Sequence, residues 1–311
     1  MFWFSRKKGT YPIGVDMGDD VLKLAQFGSN GKGISLIAGR SETRPNDVLP
    51  GSGGWQRWAI EAISRLTANG DFKGREAIAA MPAGEVFIDH IKVPKVKDGK
   101  AEDAVFLKIK QKLPFDGADA MIKYIPTEND NVMVIATERG KIDRYLAIFE
   151  KAELQIKSII AWPIAMVNSY TMFFGRRKSD VETVVMLLDI EADNTNVVVC
   201  RHKNLLFARS IPIGTKQISN EKIMTRLALE LNACRRQVGS MLGKIQIERL
   251  IFLSGPSVDK EVCTKIAKQL ELPAQTGDCL AAVEIEDSSS LKINRRQCQS
   301  SWATAFGLSL S

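Results

Sequence analysis

One arrangement of apolar and polar positions occurs twice along the chain. Ile13-Gly14-Val15-Asp16-Met17-Gly18 is a short apolar segment carrying an acid near its end, followed by the turn-forming Asp19-Asp20. Val21 to Phe27, a Ser29-Asn30-Gly31 turn, and Gly33 to Ala38 complete the unit. Far downstream the grammar returns: Thr183 to Leu188 is apolar, Asp189 closes it, and Glu191-Ala192-Asp193-Asn194 is the turn. Asn196 to Cys200 and Leu205 to Ile211 then flank the turn Arg201 to Asn204. Short runs rich in Val, Ile and Leu between clusters of Gly, Asn and Asp predict strands. Each unit is therefore expected to be a three-stranded antiparallel meander whose first strand ends on an aspartate. A repeat of this kind predicts two like-built lobes.

Helical periodicity supplies the rest. Between Glu221 and Gly243, residues Ile223, Leu227, Leu231, Cys234, Val238 and Met241 fall near one face. Ser219 or Asn220 can cap its start, and Gly243 can end it. Glu248 to Leu253 reads as a buried strand, Val258 to Leu270 as a helix stopped before Pro273, and Ser300 to Leu310 as a small-residue helix. A different order occupies the middle: strands Ala77 to Met81 and Glu85 to Val93, helix Ala101 to Leu113, strands Ala120 to Pro126 and Val132 to Thr137, helix Glu138 to Ala152. The expected class is α/β, with two duplicated lobes of mixed sheets and an inserted small α+β subdomain. The boundaries that follow are 1–74 and 154–178 for the first lobe, 75–153 for the insert and 179–311 for the second lobe.

The chain has 311 residues, with 43 Lys and Arg against 36 Asp and Glu, a net charge of +7. Both signs are interleaved, and the cationic clusters Arg176-Arg177-Lys178, Arg235-Arg236 and Arg295-Arg296 are scattered, so nucleic-acid binding is not expected. Met1-Phe2-Trp3-Phe4 followed by Arg6-Lys7-Lys8 has the reverse order of a signal peptide; aromatics beside cations suit a weak contact with an anionic lipid surface. The longest uncharged run, Ser158 to Gly175, is broken by Pro163 and falls short of the roughly 20 apolar residues of a span. Five cysteines at wide spacings with no CxxC pair form neither a zinc site nor a disulfide framework, which makes a reducing cytosol the simplest home. The two histidines, His90 and His202, have no neighbours suggesting catalysis or metal binding. There is no Walker A sequence or dinucleotide fingerprint either.

The chemistry left standing belongs to the repeated aspartates. Two strand-end carboxylates, Asp16 and Asp189, in like-built lobes could hold Mg²⁺ through waters, while the backbone amides of the adjoining turns take phosphate oxygens. Lys23, on the strand after the first turn, could neutralise phosphate.

This arrangement resembles the actin-like ATPase superfamily, whose fold is ribonuclease-H-like, and within it the PilM family of type IV pilus assembly proteins, relatives of the division protein FtsA. Ile13 to Gly18 with Val21-Leu22-Lys23 looks like the first phosphate motif. Leu188-Asp189-Ile190 and Thr195, with Phe207 through Gly214, look like the second, and Phe252-Leu253-Ser254-Gly255-Pro256 resembles the adenosine-side motif. Leu113-Pro114-Phe115, Ala136-Thr137-Glu138 and Ala305-Phe306-Gly307-Leu308 are similar to further landmarks. The resemblance implies ATP with Mg²⁺ as ligand, held by Asp16, Gly18, Lys23, Asp189, Gly214 and Gly255, with Asp16 and Asp189 toward the metal. Three departures imply weak or absent binding. Asp19 and Asp20 put carboxylates where a triphosphate would sit. Glu191 stands where a glycine is expected, and Pro256 removes an amide from the adenosine motif.

The implied role is a cytoplasmic adaptor, peripheral at the inner membrane, that binds the short cytosolic tail of a PilN-like single-span protein and can self-associate. No residue is assigned a catalytic role. The alternative is an active actin-like ATPase whose nucleotide cycle controls assembly or polymerisation.

Overall fold

The computed structural model describes residues 9–18, 20–29, 33–93, 101–243, 245–255, 258–279, 283–285 and 300–311. Met1 to Lys8, Asp19, the Asn30-Gly31 turn, Pro256, Arg295-Arg296 and Cys298 lie outside them. The chain divides into two compact units. The first takes in residues 1–82, 145–174 and 278–311, the second 83–144 and 175–277.

The strands of the first unit are β1 (Gly9–Thr10), β2 (Ile13–Met17), β3 (Val21–Ser29), β4 (Ile34–Thr43) and β5 (Glu76–Ala80), with α1 (Gly53–Thr67) before β5. In the second unit follow β6 (Phe87–Lys92), α2 (Ala101–Ile109), β7 (Ala120–Pro126) and β8 (Asn131–Glu138). Helix α3 (Arg139–Lys151) leads back to β9 (Gln155–Ile160), α4 (Trp162–Ser169) and a π turn, Tyr170–Phe174, of the first unit. The second unit resumes with β10 (Val184–Ile190), β11 (Thr195–Arg201), β12 (Asn204–Ile211), α5 (Glu221–Leu242), β13 (Arg249–Phe252), α6 (Lys260–Leu270) and β14 (Ala274–Thr276). Strand β15 (Glu284–Ile285) and α7 (Ala303–Ser309) return to the first unit.

Both expected meanders form. The first sheet runs β15-β4-β3-β2-β5-β9, with β1 on β3; the second runs β12-β11-β10-β13-β14. In each, the meander is antiparallel and the next two strands add in parallel on the far side of its first strand. The first strands are buried along nearly their whole length because helices must cover a mixed sheet. Ile13 and Val15, like Leu187 and Leu188, are fully buried.

The predicted caps are present. Asn220 accepts from the Lys222 amide at 2.9 Å, and Gly243 has a φ of 76° where α5 stops. Pro163 lies in the first turn of α4, where its missing N–H leaves no bond unmade. A third sheet, β6-β8-β7, is the insert. Its β7–β8 hairpin turns on Asn129 and Asp130, both left-handed, the conformation that matches strand twist. His202, in the β11–β12 turn, is left-handed too.

Four segments sit elsewhere than the sequence suggested; one is residues 145–153, the end of the expected insert, which fall with the first unit. Glu76–Ala80 is not part of the insert; it pairs parallel with β2, and the insert begins after Pro82. Residues 175–178 fall with the second unit, not the first lobe. The C-terminal helix belongs to the first unit instead of the second lobe, through close packing of small residues. A Cβ on Gly14 would collide with the Ala305 carbonyl, and one on Gly307 with the Ala165 carbonyl. Ser309 fastens the contact: its Oγ donates to Pro12 O at 2.8 Å and accepts from the Phe27 amide at 3.1 Å.

Candidate functional site

The sheet register builds a polar row across the first meander. Asp16 lies opposite Lys23, and Lys23 opposite Ser41. Directly opposed residues share a face, so carboxylate, ammonium and hydroxyl stand side by side. Asp16 is only 8% exposed, and Lys23 Nζ lies 3.8 Å from its Oδ2. Burial pushes the Asp16 carboxyl above the usual carboxylate range, and the lysine pulls it partly back. At the strand end, a Cβ on Gly18 would lie 2.7 Å from Val21 O, so the chain turns tightly there. Asp20 is turned to Arg44, whose Nη2 donates to Oδ1 at 2.5 Å and whose amide donates to Asp20 O at 2.8 Å. Its charge is therefore offset inside the fold.

The second meander repeats the row. Asp189 lies opposite Asn196, and Asn196 opposite Ser210. Asn194, buried in the turn, donates from Nδ2 to Asn196 Oδ1 and to Ser210 Oγ, each at 3.2 Å. Its Oδ1 is buried with no partner among the described residues. The Glu191 amide donates to Asn194 O at 2.8 Å, closing the turn. Gly214 packs against this turn: a Cβ there would lie 2.5 Å from the Asp193 nitrogen and closer still to the Ala192 carbonyl. The approach lets Thr215 and Lys216 donate their amides to the carbonyls of Glu191 and Ala192 at 2.8 and 3.1 Å. Thr195 Oγ1 donates to Ile213 O at 2.7 Å and ties the same two segments. The Thr215 and Lys216 amides and the Thr195 hydroxyl are thus engaged within the second loop.

Ser254 joins the third motif to this strand end, its Oγ accepting from the Ile190 amide at 2.9 Å. Beyond Gly255, Asp259 caps α6 by accepting from the Val262 amide at 2.8 Å. The starts of α5 and α6 enclose a cleft of about 410 Å³. Its walls include Met224 and Val262, and its charged groups are Glu221, Asp259, Glu261 and Lys265. Lys265 pairs with Glu261 at 2.8 Å, so the lining is acidic on balance. The sequence had pointed only to the neighbouring Gly255, and it started the helix at Val258, so the capping role of Asp259 did not show.

The structure thus gathers Asp16, Gly18 and Lys23 in the first unit, and Asp189, Gly214 and Gly255 around one strand end in the second. Phosphate oxygens require donors, whereas the orphaned group at the second row, Asn194 Oδ1, is an acceptor. Among the described residues no three His, Cys, Asp or Glu side chains gather to hold a metal. His90 is structural: it stacks on Phe207 at 4.5 Å, and its Nε2 accepts from the Ala208 amide at 3.3 Å. Burial lowers its pKa to about 4, so the ring is neutral. Cys200 is fully buried, its thiol raised by burial, and Cys234 is pushed up to about 11, which suits packing and not nucleophilic chemistry. No helix among the described residues is long and apolar enough to cross a membrane.

Twin five-strand cores with one strand order, each with an aspartate at the end of its first strand, define an actin-like ATPase fold. The family described as Type IV pilus assembly protein PilM matches residues 14–240, and the chain belongs to it. Among solved structures, the PilM–PilN type IV pilus biogenesis complex is similar with a TM-score of 0.80 and 20% identity, over 96% of this chain and 98% of that one. The ethanolamine utilization protein EutJ from Carboxydothermus hydrogenoformans gives 0.53 and 13%, over 98% and 90%. The cytoplasmic domain of EpsL, an inner-membrane component of the type II secretion system of Vibrio cholerae, gives 0.52 and 11%, over 90% of each chain. No curated protein matches the chain.

Proposed function

We propose that this PilM-family protein is an adaptor of a type IV pilus assembly or related secretion machine. It works at the cytoplasmic face of the inner membrane and binds the short cytosolic tail of a PilN-like single-span protein, with weak or no ATP binding. Family membership supports the pilus role, and the likeness to a PilM bound to PilN supports the partner. The observation that carries the nucleotide part is the closure of the second loop: Gly214 packs on the Ala192–Asp193 backbone, and the Thr215 and Lys216 amides are engaged there. The acidic lining of the α5–α6 cleft adds repulsion toward a triphosphate.

Titration calorimetry with MgATP on the wild type and Asp16→Ala tests the nucleotide reading. No heat at millimolar nucleotide agrees with it. Micromolar binding lost in the variant, with turnover, overturns it and establishes the rival, an actin-like ATPase whose cycle controls assembly or polymerisation. That rival draws on the repeated placement of Asp16 and Asp189 and on Lys23. Co-purification with a single-span protein bearing a short cytosolic tail tests the adaptor reading, and sedimentation with and without nucleotide tests self-association.

A further inference from the structure

The second sheet ends on β14, and this edge has the makings of a peptide site. Pro273 O accepts from the Leu250 amide at 2.9 Å, and the Gly277 amide donates to Phe252 O at 2.8 Å. Bonding in a parallel pair alternates residue by residue, so Ala274 and Thr276 turn their N–H and C=O groups away from β13. All three residues of β14 are exposed, and no strand among the described residues pairs with the outer side.

Beside that edge a groove of about 480 Å³ runs along α6. Phe252, Cys263, Ala267 and Leu272 supply apolar lining. Lys260 and Lys268 stand on the rim, both exposed, and neither forms an ion pair among the described residues; Glu271 is the one acid of the lining. Open backbone groups, a trough for alternate side chains and a cationic rim are the three elements an added strand uses. Main-chain bonds supply affinity, the trough takes every second side chain, and the lysines select charge.

We propose that β14 and the α6 groove form a strand-addition site for an extended peptide that alternates apolar residues with carboxylates. The site is separate from the nucleotide motifs, and it stands or falls independently of the adaptor reading above.

The probe is an acetylated hexapeptide alternating Glu with Val, fluorescently labelled and titrated into the full chain by anisotropy. Three comparisons decide the matter. A lysine-for-glutamate peptide should bind at least tenfold more weakly, and Lys260→Glu with Lys268→Glu should reverse that preference. A peptide N-methylated at alternate amides should also lose at least tenfold, a readout that leaves the protein untouched. Raising salt from 50 to 500 mM should weaken the acidic peptide several-fold. Absence of binding at millimolar peptide, or equal binding of the N-methylated peptide, overturns the proposal. A dimer in sedimentation that Thr276→Pro dissolves would assign the edge to a second copy and overturn it too.

Discussion

The two meanders are the same structure solved with different chemistry. In both, a directly opposed row crosses three strands: Asp16–Lys23–Ser41 in the first and Asp189–Asn196–Ser210 in the second. The middle position differs. Lysine in the first row compensates a carboxylate that is nearly buried, and the neighbouring Asp20 is compensated by Arg44. In the second row the middle residue is a neutral amide, and order comes instead from backbone packed on backbone around Gly214. One turn is held by charge and the other by the absence of a side chain. This contrast governs which substitutions each turn tolerates.

Gly214→Ala should give the largest effect. The new Cβ would overlap backbone atoms that no rotamer change can clear. A loss of about 3 kcal/mol is expected, at the upper end for overpacking, read as a drop in the urea midpoint of the second unit. Gly18→Ala meets only the Val21 carbonyl at 2.7 Å and should cost about 1 kcal/mol. Equal losses at the two glycines would break the comparison.

The outer strands of the meanders sharpen it further. β4 is paired by β15, whereas the β12 strand carries Phe207 and Ala208 against His90 of the insert. With its pKa lowered to about 4 in the fold and near 6.5 unfolded, His90 makes the unfolded state bind more protons between those values. Its stabilisation is complete above pH 6.5 and is lost as pH falls toward 4, on the order of 3 kcal/mol in all. His90→Gln can still accept from the Ala208 amide but cannot titrate there. The difference between wild-type and His90→Gln stability, followed by denaturant midpoint against pH, should slope across that window and flatten outside it. A flat difference would mean that the ring is solvated and the contact incidental.

The strands, the turns and the repeat were legible because each is local: Ile13 to Met17 and Val184 to Leu188 announce themselves as apolar runs closed by an acid. The C-terminal helix was not. Its place depends on Gly14 and Gly307 matching backbones that lie far apart in sequence, and small residues look alike wherever they pack. The boundary at Arg75 misled because β5 and β6 are both short strands, and only pairing with β2 tells which sheet takes Glu76–Ala80. Asp16 and Lys23 could be named from sequence, but their pairing follows from register alone. The acidic cleft was invisible because Glu221 and Asp259 belong to helices that meet only in the fold.

Exchanging the chemistry of the first row tests whether charge holds it. Lys23→Met keeps the stem and removes the cation, leaving Asp16 buried beside a neutral neighbour. The charged form of Asp16 then loses the ammonium that stabilises it while its desolvation remains. A loss of about 1–3 kcal/mol at pH 7 is expected, the range for an uncompensated buried group. Because protonation relieves an unpaired carboxylate, the loss should shrink as the buffer is made acidic, and Asp16→Asn added to Lys23→Met should restore most of it.

The matching test in the second turn should do almost nothing. Asp193 and Lys216 pair at 2.8 Å, but both side chains are 51% exposed. Water screens such a pair, and fixing two mobile side chains offsets much of the attraction. Asp193→Ala should therefore shift the urea midpoint by less than about 0.5 kcal/mol equivalent, in low or high salt alike. A loss as large as that of Lys23→Met would mean that charge holds the second turn as well, and the division of labour between Lys23 and Gly214 would have to be abandoned.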